Sequence, residues 1–500
     1  MQILESLRYG FSIALTPINL FLCFMGAMAG TLVGVLPGLG PVGAMSMLLP
    51  ITFAISPTGA LIMLAGIYYG AQYGGSITSI LLNVPGESTT IVTCLDGYAM
   101  AKKGRAGPAL GISAFGSFIA GTLSICGLVL FSFPLTNFAL KFGAPEYFSL
   151  LCTGLVILTY LSQGSMIKAL LMAVLGIFVS TIGVDSMSGI HRFTFGNINL
   201  GEGVGLVPIA MGMFGLGEIF VNLEEGKTQQ LLKTELKHFL PSLQDWKDSK
   251  WPILRGTVLG FFLGIIPGGG ALISSFASYA IEKRFSKYPE KFGTGVIEGV
   301  AGPESANNSG AQASFIPLLT LGIPTNIITA ILLGALLMHG ITPGPLLIRE
   351  KPDLFWGVVT SMYIGNIMLL ILNLPLIPLW VKILNVPKFI LFPLIMLFCL
   401  IGVYTVNNNV FDIFVMIFFG GLGYLAKRLD FEPAPFILAV VLGPIFEESL
   451  RQSLISSRGD FSIFFTRPIS LGFVITTLIL LVLPFISRIR TDETVQKGEE

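Results

Sequence analysis

The sequence predicts an all-α polytopic membrane protein of about 10–13 transmembrane or re-entrant helices, in two internal repeats with broken helices. Three observations predict it. Charged residues make up 11% of the 500-residue chain and hydrophobic residues 53%, against about 25% charged in soluble domains. Apolar windows of membrane length recur along the whole chain, which excludes a soluble domain on a single anchor. Glycine and proline number 59 and 29, and in lipid these residues go where helices pack closely or break.

Taken in order, apolar segments fall at 18–36, 44–55, 60–82, 109–133, 147–161, 169–184 and 205–221. The first follows Glu5 and Arg8 and runs into a Gly/Pro motif with no small-residue cleavage site, so it is expected to be retained. Residues 222–250 then form the longest polar stretch. They divide a first repeat (1–224) from a second (251–500), with 225–250 as the inter-repeat loop. The second half resumes at 253–266, 271–281, 314–338, 354–384, 389–403, 413–425, 436–446 and 469–486. Basic clusters at 102–105, 227–255, 283–291 and 451–467 are expected on the cytoplasmic side. Lys427-Arg428 and Arg488-Arg490 fit one count only if an intervening segment is re-entrant.

The halves echo each other where they are least like ordinary helices. Gly30 to Gly40 (GTLVGVLPGLG) is matched by Gly260 to Gly270 (GFFLGIIPGGG). Gly70-Ala71-Gln72, followed by Asn83-Val84-Pro85-Gly86, is matched by Gly310-Ala311-Gln312, followed by Gly322-Ile323-Pro324-Thr325. Paired Gly/Pro interruptions at corresponding places in two halves point to a transporter's binding site near the bilayer midplane.

A helix broken in lipid must be buried in protein or line a polar cavity, and the helix after each break offers free N–H groups and a positive dipole end. That chemistry suits a carboxylate. The candidate substrate residues are Pro37, Gly38, Gly40, Asn83, Pro85, Gly86, Glu87, Ser88, Pro267, Gly268, Gly269, Gly270, Asn307, Asn308, Pro324, Thr325 and Asn326. Ser88 and its neighbours are placed to cap the following helix. Ser76, Thr89, Glu304 and Gln312 are candidates for coordinating a cation whose charge offsets that of the substrate. The bland alternative for any one of these polar groups is interhelical hydrogen bonding that packs the bundle.

Several classes are excluded. A net charge of +1 leaves no nucleic-acid partner. Gly38 to Gly43 matches G-x-G-x-x-G, but after a membrane-length segment rather than a strand, so it is no dinucleotide site. No phosphate-binding G-x-x-x-x-G-K-[ST] occurs, and no cofactor is expected. His191, His238 and His339 stand apart, and Cys23, Cys94, Cys126, Cys152 and Cys399 lack metal spacing. Asn407-Asn408-Asn409 with Asp412 reads as a loop, and Glu447, Glu448 and Arg451 as a helix end. The rivals to transport are an intramembrane enzyme or redox subunit, which would need a nucleophile with its base or a ligand cluster, and a passive anion channel.

Long strings carry a resemblance. Gly34 to Gly40 (GVLPGLG), Tyr68 to Gly86 (YYGAQYGGSITSILLNVPG), Asp96 to Gly111 (DGYAMAKKGRAGPALG), Glu304 to Pro324 (ESANNSGAQASFIPLLTLGIP), Tyr363-Ile364-Gly365-Asn366 and Phe464-Phe465-Thr466-Arg467-Pro468 resemble TctA, the large membrane subunit of the tripartite tricarboxylate transporters. The likeness implies a multi-pass protein of the bacterial inner membrane, working with a small TctB-like membrane subunit and a TctC-like periplasmic binding protein. It implies a secondary transporter that imports tricarboxylates or related organic carboxylates on an ion gradient. The uncharged oxygen-rich segments favour Na⁺ over H⁺ as the coupling ion, since proton relays need a run of ionisable groups. One departure stands out: Thr325 follows Pro324 where the pattern leads one to expect Gly, and Thr disfavours left-handed backbone. The binding protein is expected to dock on the non-basic side, where residues 185–203 form one of the longest connections.

Overall fold

The computed structural model describes residues 2–36, 40–161, 165–185, 187–225, 240–268, 270–383 and 388–496. Helices dominate them. In chain order these are α1 (Gln2–Ala14), α2 (Pro17–Val35), α3 (Gly40–Leu48), α4 (Pro57–Leu82), α5 (Ile91–Lys102), α6 (Ala106–Ala139), α7 (Ala144–Leu161) and α8 (Met166–Ser180). A two-stranded antiparallel hairpin follows, β1 (Gly183–Val184) with β2 (His191–Arg192). Then come α9 (Leu206–Ala210), α10 (Gly217–Glu225), α11 (Leu243–Ile265), α12 (Gly270–Phe285), α13 (Glu298–Ala313), α14 (Phe315–Leu321), α15 (Ile327–Met338), α16 (Leu347–Glu350), α17 (Pro352–Asn373), α18 (Ile377–Ile383), α19 (Lys388–Asn407) and α20 (Val410–Arg428). The last are α21 (Ala434–Ser456), α22 (Ile463–Thr466) and α23 (Pro468–Gln496).

Among the described residues five helices are long and apolar enough to cross a membrane: Pro17–Val35, Ala106–Ala139, Leu206–Glu224, Pro352–Asn373 and Val410–Arg428. Proline at the first turn starts several helices, where its missing N–H costs nothing: Pro17 in α2, Pro57 in α4 and Pro352 in α17. The Ser56 side chain also caps α4 by accepting from Gly59 N. Large apolar side chains such as Leu171, Val174 and Phe178 of α8 stay exposed, as a lipid-facing surface requires.

The chain forms two compact units, one of Met1–Asn137 with Gly205–Arg428, the other of Phe138–Val204 with Leu429–Glu500. They cut across the halves read from sequence, since each half contributes a segment to each unit.

In the first unit, two helix pairs set the core. Gly26, Gly30 and Gly34 of α2 lie against the carbonyl oxygens of Met63, Ile67 and Ala71 of α4, so closely that any Cβ there would collide with them. Gly256, Gly260 and Gly264 of α11 lie in the same way on Gly302, Ala306 and Gly310 of α13. Small residues four apart let backbones approach where lipid gives no hydrophobic drive. The packing sets Ala71 opposite Gly34 and Gly310 opposite Gly264, one residue out of step with the Gly-Ala-Gln string match.

Residues Thr58 to Leu82 of α4 and Gly299 to Ala313 of α13 are all buried. Burial of α13 is the less expected, since it carries Glu304, Ser305, Asn307, Asn308, Ser309 and Gln312. A polar helix so enclosed must satisfy those groups internally.

In the second unit, α8 and α21 run parallel, with Gly176 against Phe436 and Gly443 against Ser180. Ser149 bonds Ser470 and Thr153 approaches Thr477, so α23 runs alongside α7. Arg192, Arg451 and Arg467 with Glu146 therefore gather at one end of this unit, while Lys168, bonded to Leu429 O, marks the other. Within this unit the 451–467 cluster lies one crossing away from Leu429, and α23 runs back toward the Leu429 end.

Candidate functional site in the first unit

Each break is a specific backbone event. α2 gives way to extended backbone at Leu36, and Gly40 (φ +59°) opens α3; Pro37 and Gly38 lie outside the described residues. α11 ends in extended backbone at Ile266, Pro267 follows, Gly268 has φ +80° and Gly270 φ +43°; Gly269 also lies outside them. α4 ends on left-handed Asn83 (φ 57°) and α14 on left-handed Gly322 (φ 72°), each two residues before a proline, Pro85 and Pro324. Thr325 is thus spared the left-handed conformation, which falls three residues earlier at Gly322. Gly86 is needed for another reason: a Cβ there would collide with Gly34 O and stand 2.6 Å from Gly75 Cα.

The breaks touch. Gly268 N donates to Thr325 O at 2.7 Å, and Asn326 Nδ2 donates to Tyr68 Oη of α4 at 3.1 Å. Asn326 caps α15 by accepting from Thr329 N, and Thr329 Oγ1 accepts from Thr325 N and Asn326 N, both at 3.0 Å. The start of α5 is different. A 3₁₀ turn, Ser88–Thr90, precedes it, no side chain caps it, and Ser88 is exposed, as is Asn83. The capping expected of Ser88 does not occur because its side chain turns outward; Thr90 Oγ1 instead donates back to Glu87 O.

Beside the breaks lies a buried polar cluster. Glu304, 0% exposed, accepts from Ser76 Oγ at 2.6 Å, from Thr93 Oγ1 and more distantly from Asn307 Nδ2 at 3.4 Å. Thr89 Oγ1 lies 2.6 Å from Gln72 Oε1 and 2.9 Å from Glu87 Oε2. Asn308 Nδ2 donates to Ser117 Oγ at 2.8 Å and Asn307 Oδ1 at 2.7 Å. Gln72 Nε2, Asn308 Oδ1 and Gln312 Oε1 are buried without a partner. Neither Glu87 nor Glu304 forms an ion pair among the described residues. Thr93 and Gln72, which sequence reasoning passed over, belong to this cluster.

A family model, described as "Tripartite tricarboxylate transporter TctA family", matches residues 20–438. The chain belongs to the TctA family. The match spans α2 to the start of α21, and so all four breaks and α13. Across 98% of its length the chain is 52% identical to an Agrobacterium vitis protein named "Uncharacterized 52.8 kDa protein in TAR-I ttuC' 3'region", of which it covers 98%. It is also 55% identical over 230 residues to "Uncharacterized protein in TAR-II ttuC' 3'region" of Agrobacterium vitis, covering 95% of that protein and 45% of this chain. No solved structure matches. As a TctA-family chain it is a multi-pass membrane subunit of a tricarboxylate transporter.

Two further features of this TctA chain carry no sequence signal of their own. Asp96, buried on α5, accepts from Gly295 N at 2.7 Å, Gly293 N and Val296 N at 3.0 Å and Tyr279 Oη at 2.9 Å. It locks the loop before α13 onto α5, some 200 residues away in sequence. In the second unit, Arg451 bonds both oxygens of Asp185 and pairs with Glu447, which also takes Arg192. These side chains line a cavity of about 450 Å³. Ser188 Oγ, Arg451 and Met187 N hold the Asp185 carboxyl well below the usual carboxylate range. His191 lies exposed in β2, His339 ends α15, and His238 lies outside the described residues.

Proposed function

We propose that the chain is the large permease subunit of an ion-coupled symporter that imports tricarboxylates or related organic carboxylates across the bacterial inner membrane. In this reading a small TctB-like membrane subunit completes the membrane part, and a periplasmic TctC-like binding protein delivers the substrate. The observation that carries it is the meeting of broken helices in buried surroundings, with Gly268 N on Thr325 O and Asn326 on Tyr68. In lipid, non-helical backbone is tolerated where it is buried in protein or lines a cavity, and helix starts at such places favour anions. The starts of α3, α12 and α15 form the substrate side, while the Asn307 and Asn308 amides, which donate to Glu304, Ser117 and Asn307 Oδ1, brace α13. The two glycine-packed pairs support descent of the halves from one duplicated unit.

Glu87 does not belong with the substrate. A carboxylate repels a carboxylate, and Glu87 is joined through Thr89 to Gln72, so it goes with the cation groups. The reading is tested by uptake of labelled citrate into proteoliposomes holding the chain, its small subunit and its binding protein, under an imposed inward Na⁺ gradient. Accumulation that needs the gradient supports the symporter. Equal uptake in Na⁺-free buffer, abolished by a protonophore, assigns the coupling to protons, and equilibration without accumulation describes a channel.

A further inference from the structure

We propose that Glu304 is the anionic ligand of a Na⁺ site that fills before substrate arrives, with Ser76, Thr93 and Gln72 as its neutral oxygen ligands. This rests on the ion-coupled reading above and names the groups that carry it. Three observations lead there.

The first is charge. Glu304 sits on a fully enclosed helix with no cationic side chain paired to it among the described residues. Its neighbours are hydroxyls and an amide: Ser76 on one carboxyl oxygen, Thr93 on the other, Asn307 behind. Hydroxyls and an amide on both oxygens can hold an ionised carboxylate, which accepts at each oxygen. An ionised carboxylate enclosed in a membrane bundle in turn requires a counter-charge.

The second is an orphaned atom. Thr89 has one hydroxyl hydrogen and two acceptors in reach, Gln72 Oε1 and Glu87 Oε2, while Gln72 Nε2 is buried without a partner. The nitrogen and oxygen of an amide are assigned from the hydrogen-bond network. Turning the Gln72 amide over closes the count: Nε2 donates to Thr89, and Thr89 donates to Glu87. The leftover atom is then a buried carbonyl oxygen with no donor. Gln72 precedes Ser76 by one turn of α4 and shares its face, and Ser76 Oγ also approaches Gln72 O at 3.1 Å. A free carbonyl oxygen one turn from Ser76, whose hydroxyl lies on the Glu304 carboxyl with that of Thr93 on its other oxygen, completes an oxygen set suited to a hard cation.

The third is the ligand count. No group of three or more His, Cys, Asp or Glu side chains able to hold a metal occurs among the described residues. Glu304 as the one direct carboxylate ligand, with Glu87 tied to Thr89 beside it, matches a monovalent ion, whereas Ca²⁺ and transition metals take richer anionic or nitrogen and sulfur sets.

The placement gives the site a consequence. Its ligands come from α4 and α5 on one side and from α13 on the other, and α4 runs on into the break at Asn83. Filling the site draws those helices together before the anion binds, and by reciprocity bound substrate tightens the hold on Na⁺.

The test needs no transport. The purified chain is titrated with ²²Na⁺ in the absence of any carboxylate, and its melting temperature is followed in NaCl against choline chloride at constant ionic strength. The unmodified chain is expected to bind Na⁺ saturably and to melt higher in Na⁺. Glu304→Gln is expected to abolish both effects, and Thr93→Val and Ser76→Ala to weaken Na⁺ affinity on the order of tenfold to a hundredfold. Should Glu304→Gln fail to fold, the Thr93 and Ser76 variants decide. Unchanged Na⁺ binding in those two variants, or no Na⁺-specific binding in the unmodified chain, overturns the site. Na⁺ binding without citrate accumulation would leave the site standing and overturn the transport reading instead.

Discussion

Replacing Gly86 by alanine adds one methyl group at the point where the α4 break meets α2. That methyl would overlap Gly34 O, stand 2.5 Å from Thr78 Oγ1 and 2.6 Å from Gly75 Cα. Ordinary carbon contact needs about 3.5 Å, so α4 would have to retreat by about 0.9 Å at Gly75, or the break would have to move away from Gly34. The obstructing atoms are mostly backbone, so no rotamer change relieves the clash. Overpacking of this kind costs about 1–3 kcal/mol, a factor of about 5 to about 160 in the population of the intact arrangement. Gly86→Ala is therefore expected to lower the melting temperature of the purified chain and to cut citrate uptake by about tenfold or more. Gly421→Ala, at a glycine with nothing within 4 Å, serves as the control and is expected to behave as the unmodified chain. Unmodified uptake and melting in Gly86→Ala would refute the claim that this break is held by close backbone packing.

Other outcomes follow from the same geometry. Gly268→Leu puts a branched side chain at φ +80°, where non-glycine residues pay about 1–2 kcal/mol; uptake should be lost while membrane expression, measured by immunoblot, persists. Phe195 and Ile198, 90% and 93% exposed beyond the hairpin, should contribute to docking, so that Phe195→Asp with Ile198→Asp weakens binding-protein affinity in a pull-down and lowers uptake at micromolar but not millimolar substrate. Because the Asp185 carboxyl is depressed, its tie to Arg451 is fully present above the ordinary carboxylate range and is lost only as pH falls below it. Proteolysis within the hairpin, normalised to a peptide substrate, should therefore be constant between about pH 6 and about pH 8, and faster at both values in Arg451→Met.

Composition made the membrane class legible, and Gly/Pro punctuation located the breaks, because only those residues mark left-handed or donor-free backbone so plainly. The glycine pairing was equally open to view as Gly26, Gly30, Gly34 and Gly256, Gly260, Gly264. In the sequence it is nonetheless masked, because the same strings also carry the break motifs. The burial of α13 was not legible. Its run of Glu, Ser, Asn and Gln has the composition of a loop, and what encloses it is α4, α5, α11 and α12, which local pattern does not reveal. The role of Thr93 was hidden for a similar reason, its partner Glu304 lying 211 residues away. Asp96 was less visible still, since three of its partners are backbone N–H groups and any sequence supplies those.

As proposed, this TctA-family chain carries an organic carboxylate through one site that opens to each side of the membrane in turn. Counterflow tests that most directly. Proteoliposomes holding the chain and its small subunit are loaded with unlabelled citrate, equal Na⁺ is set on both sides, and trace labelled citrate is added outside together with the binding protein. The account predicts transient accumulation of label above its equilibrium level, lost in Gly268→Leu. Label that only equilibrates, at a rate indifferent to the citrate loaded inside, would contradict it.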